Sequence, residues 1–269
     1  MPVARIGRYD INYLEDGSGP AVVMIHGLAG DHTAWLPQMA ALRDRYRVVV
    51  FDNRGAGRST QVDEAVGTED LADDTIGLME HLGIAQAHIV GRSMGGAIAQ
   101  HIALKRPEMA RSLVLCASFA RLDPLGRRVL TNMREVLEWR RDWRDHALHS
   151  IQNFVGWRFY NGEPERIAGI VNLIGGETRL PECYIRQNHA CLDHDTLDRL
   201  SGIACPTLIM GGGQDPICSP TATRWMAERI PNSRSVIFEG CSHFFLMEDA
   251  DRFMAQLTGF LDQPRIGGP

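Results

Sequence analysis

The feature that most constrains this chain is a repeated succession of short apolar runs and helix-patterned segments. Seven β-rich stretches recur: "RIGRYDINYLE", "AVVMIHG", "YRVVVFDN", "AHIVGRS", "RSLVLCAS", "PTLIMGG" and "RSVIFEG". The last six are mostly continuous apolar segments, the pattern of strands covered on both faces, as in a parallel sheet. Helical patterns stand between them. "TAWLPQMAALRDR" follows the second run, "EDLADDTIGLMEHLG" carries Leu71, Thr75, Leu78, Met79 and Leu82 near helical spacing, and "GGAIAQHIALKRP" stops at Pro107. "TATRWMAERIP" and "ADRFMAQLTGFLDQ" continue the pattern toward the end. Such alternation predicts an α/β chain with a mostly parallel, doubly wound sheet and right-handed crossovers.

The alternation stops between about residues 120 and 200, where "MREVLEWRRDWRDHALHSIQNFVGWRFY" is helical. This predicts a core formed by residues 1–119 and 201–265, a helical cap inserted at 120–200, and a loose tail at 266–269. A chain of 269 residues fits one large α/β unit with such an insertion.

Composition narrows the partners. Hydrophobic residues make up 44% and charged residues 23%, ordinary proportions for a globular protein, and the net charge of -5 offers no electrostatic footprint for nucleic acid or an acidic membrane. No run approaches a membrane span and the N-terminal stretch lacks a signal-peptide core, so the expectation is a cytoplasmic protein acting on a small molecule. A homo-oligomer is left open. The six cysteines are scattered without a C-x-x-C pair, which suits reduced thiols better than disulfides or a metal site.

The chemistry is concentrated in "IVGRSMGGAIAQ", residues 89–100. Gly91-Arg92-Ser93-Met94-Gly95 is G-x-S-x-G at a predicted strand-to-helix junction, the context in which a serine is held on a tight turn between small neighbours. The helix start directs free N–H groups and the positive end of its dipole toward the serine oxygen.

With "HGLAG" at 26–30, "FDNRGAGRS" at 51–59, "GGGQDPICSP" at 211–220 and "EGCSHFFLMED" at 239–249, the chain resembles the α/β-hydrolase fold family along nearly its whole length. The family's chain order of nucleophile, acid and histidine is met by Ser93, Asp215 and His243. A serine hydroxyl needs a neighbouring base, and the imidazole needs a carboxylate to fix its tautomer. Asp52 is the reserve acid, should Asp215 prove dispensable. The resemblance also implies an oxyanion site built from the backbone N–H groups of Leu28 and Met94. Placement at a strand end makes His26 a brace for the "HGLAG" loop, and Asp52 and Arg54 in "FDNRGAGRS" suggest a bonded loop scaffold.

The implied activity is acyl transfer to water, with no metal and no cofactor. Serine at the nucleophile position disfavours the aspartate-ester mechanism of haloalkane dehalogenases and epoxide hydrolases. Size, elbow and single cap most resemble 3-oxoadipate enol-lactonases and small carboxylesterases, although enol-lactonases usually carry an uncharged residue where Arg92 stands. Carbon-carbon bond hydrolases of ring-cleavage products share the triad, and some proteins of this fold serve as small-molecule receptors with little turnover. The candidate substrate contacts are Arg92, Trp139, Trp143 and Trp157, with Phe154, Phe159 and Tyr160 as further candidates for an apolar pocket. Arg92 has two readings: it anchors a substrate carboxylate, or it points away and pairs with a protein carboxylate or carbonyl.

Overall fold

The computed structural model describes residues 1–62, 64–177 and 179–264. The predicted loose tail at 266–269 lies outside the described residues. Eight strands run in chain order as β1 (Val3–Ile6), β2 (Tyr9–Asp16), β3 (Ala21–Ile25), β4 (Arg47–Phe51), β5 (Ala87–Arg92), β6 (Ala110–Cys116), β7 (Thr207–Gly212) and β8 (Ser233–Phe238). They form one sheet in the order β1-β2-β4-β3-β5-β6-β7-β8. β2 pairs antiparallel with β1 and β4, and every later pairing is parallel. The stretch "RIGRYDINYLE", read as one strand, is a hairpin: the chain reverses at Gly7, whose φ of 56° a side chain would resist.

Helices follow the crossovers: α1 (Leu36–Leu42), α2 (Thr68–His81) and α3 (Met94–Lys105) come first, and α9 (Pro220–Arg229), α10 (Phe245–Glu248) and α11 (Ala250–Asp262) come last. Successive strand residues point to opposite faces, so each strand supplies two cores. Val23, Ile25, Ile89, Leu113 and Ile209 pack with Leu71, Leu78, Ile98 and Met226 on the side of α2, α3 and α9. Val22, Met24, Val90, Val114 and Met210 pack with Met39, Leu42, Phe253, Leu257 and Phe260 on the side of α1 and α11. Burying each such side chain contributes about 1.5–3 kcal/mol, which explains why the strands read as unbroken apolar runs.

Between β6 and β7 stand α4 (Pro124–Arg140), α5 (Trp143–Ser150), α6 (Trp157–Gly162), α7 (Pro164–Gly175) and α8 (Pro181–Asp193). The long helical stretch breaks at Arg141, which takes a left-handed φ of 53°, and Asp142 restarts it by accepting the Asp145 N–H at 2.7 Å. Ala147, Ile151, Ile170 and Val171 form a small core of their own there. A second cluster of Leu137, Trp143 and Tyr184 packs against Leu28 and Ala29 of the loop after β3. No helix among the described residues is long and apolar enough to cross a membrane.

Because β3 to β8 are parallel, their carboxyl ends share one edge of the sheet. Ser93, Asp215, His243 and the 26–30 loop all follow strands at that edge.

Candidate active site

Ser93 occupies φ 54°, ψ -120°, a conformation that non-glycine residues adopt only when their surroundings force it. The turn is held by Ser93 N–H donating to Cys116 O at 2.8 Å, and by Gly96 N–H and the Ser118 hydroxyl donating to Ser93 O, each at 2.9 Å. Flanking side chains are impossible: a Cβ on Gly91 would stand 2.3 Å from Gly95 O, and one on Gly95 would stand 2.2 Å from Ile25 O. The motif therefore follows from the closeness of three backbones.

His243 Nδ1 lies 2.7 Å from Asp215 Oδ2, which assigns the ring proton to Nδ1 and leaves Nε2 as the acceptor. Asp215 Oδ1 accepts the N–H groups of Ile217 at 2.8 Å and Cys218 at 2.9 Å. Both side chains are buried. The Cys218 thiol joins them, with its sulfur within 4.8 Å of a ligating atom on each partner. Burial and then the Asp215 charge push this thiol well above its ordinary range, while the Ser93 hydroxyl pulls it down. Cys218 is thus a protonated neighbour of Ser93, Asp215 and His243. Ser93 and His243 make no direct hydrogen bond among the described contacts.

The 26–30 loop is braced from below. His26 is buried and neutral: its Nδ1 donates to Gly27 O at 2.8 Å, its Nε2 accepts the Asn53 N–H at 3.2 Å, and burial lowers its pKa. Among the described residues the Leu28 N–H has no acceptor in the fold, and the Met94 N–H is the first of α3, which a helix leaves unpaired. Ala29 holds a left-handed φ of 63°, and Arg179 Nη2 donates to its carbonyl at 3.0 Å. Asp52 lies in the loop scaffold: it accepts from Asn12 Nδ2 at 2.7 Å, Arg58 N–H at 2.9 Å, and His32 N–H at 2.7 Å. Burial alone would raise its pKa, but these bonds win and lower it. Arg54 is bidentate on Asp74, at 2.9 and 2.7 Å.

The candidate substrate contacts separate. Arg92 lies with its guanidinium carbon 4.3 Å over the Phe244 ring, beside His243, and has no carboxylate or carbonyl partner among the described residues. Trp143 is buried against Leu28 and Ala29 of the 26–30 loop and donates from Nε1 to Arg179 O at 3.0 Å. Trp139 and Trp157 present their rings outward, 80% and 60% exposed. Trp139 falls two residues past the buried stripe of α4 (Leu130, Met133, Leu137) and borders a cleft of about 630 Å³ that contains none of the three triad candidates. The rings standing against His243 are Phe154 and Phe244, each 6.1 Å away between centroids.

A family model described as the alpha/beta hydrolase fold matches residues 20–250. The chain belongs to the α/β-hydrolase fold family. It is 30% identical over 265 residues to the "Putative carbamate hydrolase RutD" of Caulobacter sp. (strain K31), covering 95% of this chain and 97% of that one. Among solved structures it resembles the enol-lactonase of Burkholderia xenovorans LB400, at 27% identity and a TM-score of 0.89 over 97% of this chain and 100% of that one. A thermophilic esterase from Thermogutta terrifontis is 29% identical with a TM-score of 0.85, over 97% of this chain and 96% of that one. Family membership and these relatives support hydrolytic activity.

In this α/β-hydrolase the residues that sequence reasoning missed act between segments. Glu248 accepts Ser242 N–H and Gly156 N–H, each at 2.8 Å, tying the histidine loop to the helical insertion. Phe244 N–H donates to Phe154 O at 2.7 Å across the same junction. Arg179 reaches the 26–30 loop from 150 residues away. No local pattern signals such contacts; only the topology brings them together.

Proposed function

We propose that the protein is a serine hydrolase that cleaves a small carboxylic ester or lactone through an acyl-enzyme on Ser93. The observation that carries this is the Ser93 backbone at φ 54°, ψ -120°, a forced conformation at the strand-to-helix junction that opens α3. His243 Nε2 takes the hydroxyl proton as Ser93 Oγ attacks the carbonyl carbon. Asp215 stabilises the imidazolium that results, because its carboxylate already faces Nδ1. The Leu28 and Met94 N–H groups receive the developing oxyanion, each such donor contributing about 2.7–4 kcal/mol to the transition state. His243 then protonates the leaving oxygen. In the second half it takes a proton from water, whose oxygen attacks the acyl carbon, and returns that proton to Ser93 as the acid leaves. Protein groups alone perform these steps.

The helical segment 120–200 acts as a cap over the core of residues 1–119 and 201–265, with Phe154 and Phe244 as the apolar surface beside the base. The test is turnover of p-nitrophenyl acetate and butyrate, a small lactone panel and, given the relative's name, an aryl carbamate. A fluorophosphonate should label Ser93, and Ser93→Ala should abolish both turnover and labelling. Equal rates in the wild type and Ser93→Ala would overturn the proposal, and rapid cleavage of a vinylogous diketone in place of the esters would move it to carbon-carbon hydrolysis.

A further inference from the structure

We infer that Arg92 is a carboxylate-binding residue, so that the substrate carries a free carboxylate near the ester or lactone carbonyl that Ser93 attacks; this rests on the acyl transfer proposed above. Arg92 is the residue directly before Ser93, so their Cα atoms stand about 3.8 Å apart. Its guanidinium offers five N–H donors and, among the described residues, none is hydrogen-bonded and no acid is ion-paired with it. The contrast with the other deep arginines is direct. Arg54 holds Asp74 with two hydrogen bonds, and Arg179 pairs with Glu177.

Asp215 is the acid whose charge reaches Arg92, yet its oxygens are taken by His243 and by the Ile217 and Cys218 N–H groups. Arg92 is not sealed away either: it keeps accessible surface where Gly91, Ser93 and Met94 are buried. Burial pushes its pKa down to about 10, which leaves it charged near neutrality. Phe244 packs against the guanidinium, whose N–H groups, unpaired among the described residues, suit a planar, bidentate acceptor. A charged fork without an anion, one residue from the nucleophile, matches a substrate carboxylate in charge and shape.

The experiment compares two esters that differ by one terminal carboxylate, 4-nitrophenyl butyrate and mono-4-nitrophenyl glutarate. The wild type is expected to favour the glutarate ester in kcat/KM. Arg92→Leu should lower the glutarate-to-butyrate ratio by about 10- to 100-fold, mostly through KM, the range of a charge-assisted hydrogen-bonding pair. Arg92→Lys, which keeps the charge without the fork, should retain part of the ratio, and Arg92→Gln serves if the leucine variant does not fold. An unchanged ratio overturns the assignment. A second measurement needs no turnover: calorimetric titration of glutarate into Ser93→Ala should show binding that Arg92→Leu removes, and equal binding to both overturns the assignment. Arg92-dependent glutarate binding with both esters left uncleaved would instead refute the acyl-transfer reading and keep the carboxylate site.

Discussion

Asp215 gives one carboxylate oxygen to the backbone of the following turn and the other to His243. Ile217 and Cys218 N–H groups fix Oδ1 at 2.8 and 2.9 Å, so Oδ2 can only face the ring nitrogen at 2.7 Å. Asp215→Asn would keep the turn with its amide oxygen but present an N–H to Nδ1. The imidazole would then take the wrong tautomer. We expect kcat to fall by about 10⁴-fold while the thermal midpoint stays close to wild type, checked by steady-state kinetics and calorimetry on one preparation. A loss below tenfold would reassign the acid, with Asp52 the residue to test next.

Arg179 braces the 26–30 loop, the proposed oxyanion site, from the helical insertion. Its side chain is 2% exposed and donates to Ala29 O, the carbonyl of a residue in left-handed conformation. Arg179→Met should let that loop relax and misplace the Leu28 N–H, lowering kcat by about 10- to 100-fold with little change in KM. A merely structural arginine would lower the melting temperature and leave the kcat of the folded fraction intact, so active-site titration beside kinetics separates the two.

Two glycines should respond oppositely to one added methyl. In Gly95→Ala the Cβ would stand 2.2 Å from Ile25 O, both backbone-bound, and the variant should lose about 3 kcal/mol or more or fail to fold. Gly259 is an exposed position within α11, and a Cβ added there would meet nothing within 4 Å. Gly259→Ala should therefore gain about 0.5–1 kcal/mol through helix propensity. Urea unfolding reads both, and a destabilised Gly259→Ala would contradict a helix that runs on to Asp262.

Acid should unfold the protein from within. Burial holds His88 and His146 at about 4 and His194 at about 3, below the ordinary 6.5. The unfolded chain therefore binds more protons than the native state below 6.5, and stability falls as pH drops. The loss begins near pH 6.5 and continues until the native imidazoles themselves protonate, His88 and His146 near pH 4 and His194 near pH 3. Three lagging protons would give a slope approaching about 4 kcal/mol per pH unit within that window. Urea midpoints at pH 7.5, 6.0 and 5.0 should fall in that order, and a flat series would show these rings to be hydrated.

The sheet and its motif loops were legible because each is a local pattern. Continuous apolar runs mark strands covered on both faces, and the glycines around Ser93 mark the approach of three backbones. The hairpin at Gly7 was not, since a single glycine in a mixed stretch leaves the reversal unmarked. Arg141 ends α4 without the glycine or proline that usually signals a stop. For Trp139 and Trp157, residue type argued for a pocket while position on the helix placed them outward. Arg179 and Glu248 gain their roles only across long separations in sequence, as does the contact of Cys218 with Ser93.

Glu248 carries a consequence for timing. One carboxylate holds the N–H before His243 and the N–H that opens α6, so the helical insertion and the proposed base share one side-chain anchor, next to the backbone bond from Phe244 to Phe154. Lifting the cover far enough to break the Gly156 contact would also unseat the loop that aims His243. Water entering an open site would then meet a disarmed base, and hydrolysis of bystander esters would be confined to whatever can fit under a closed roof.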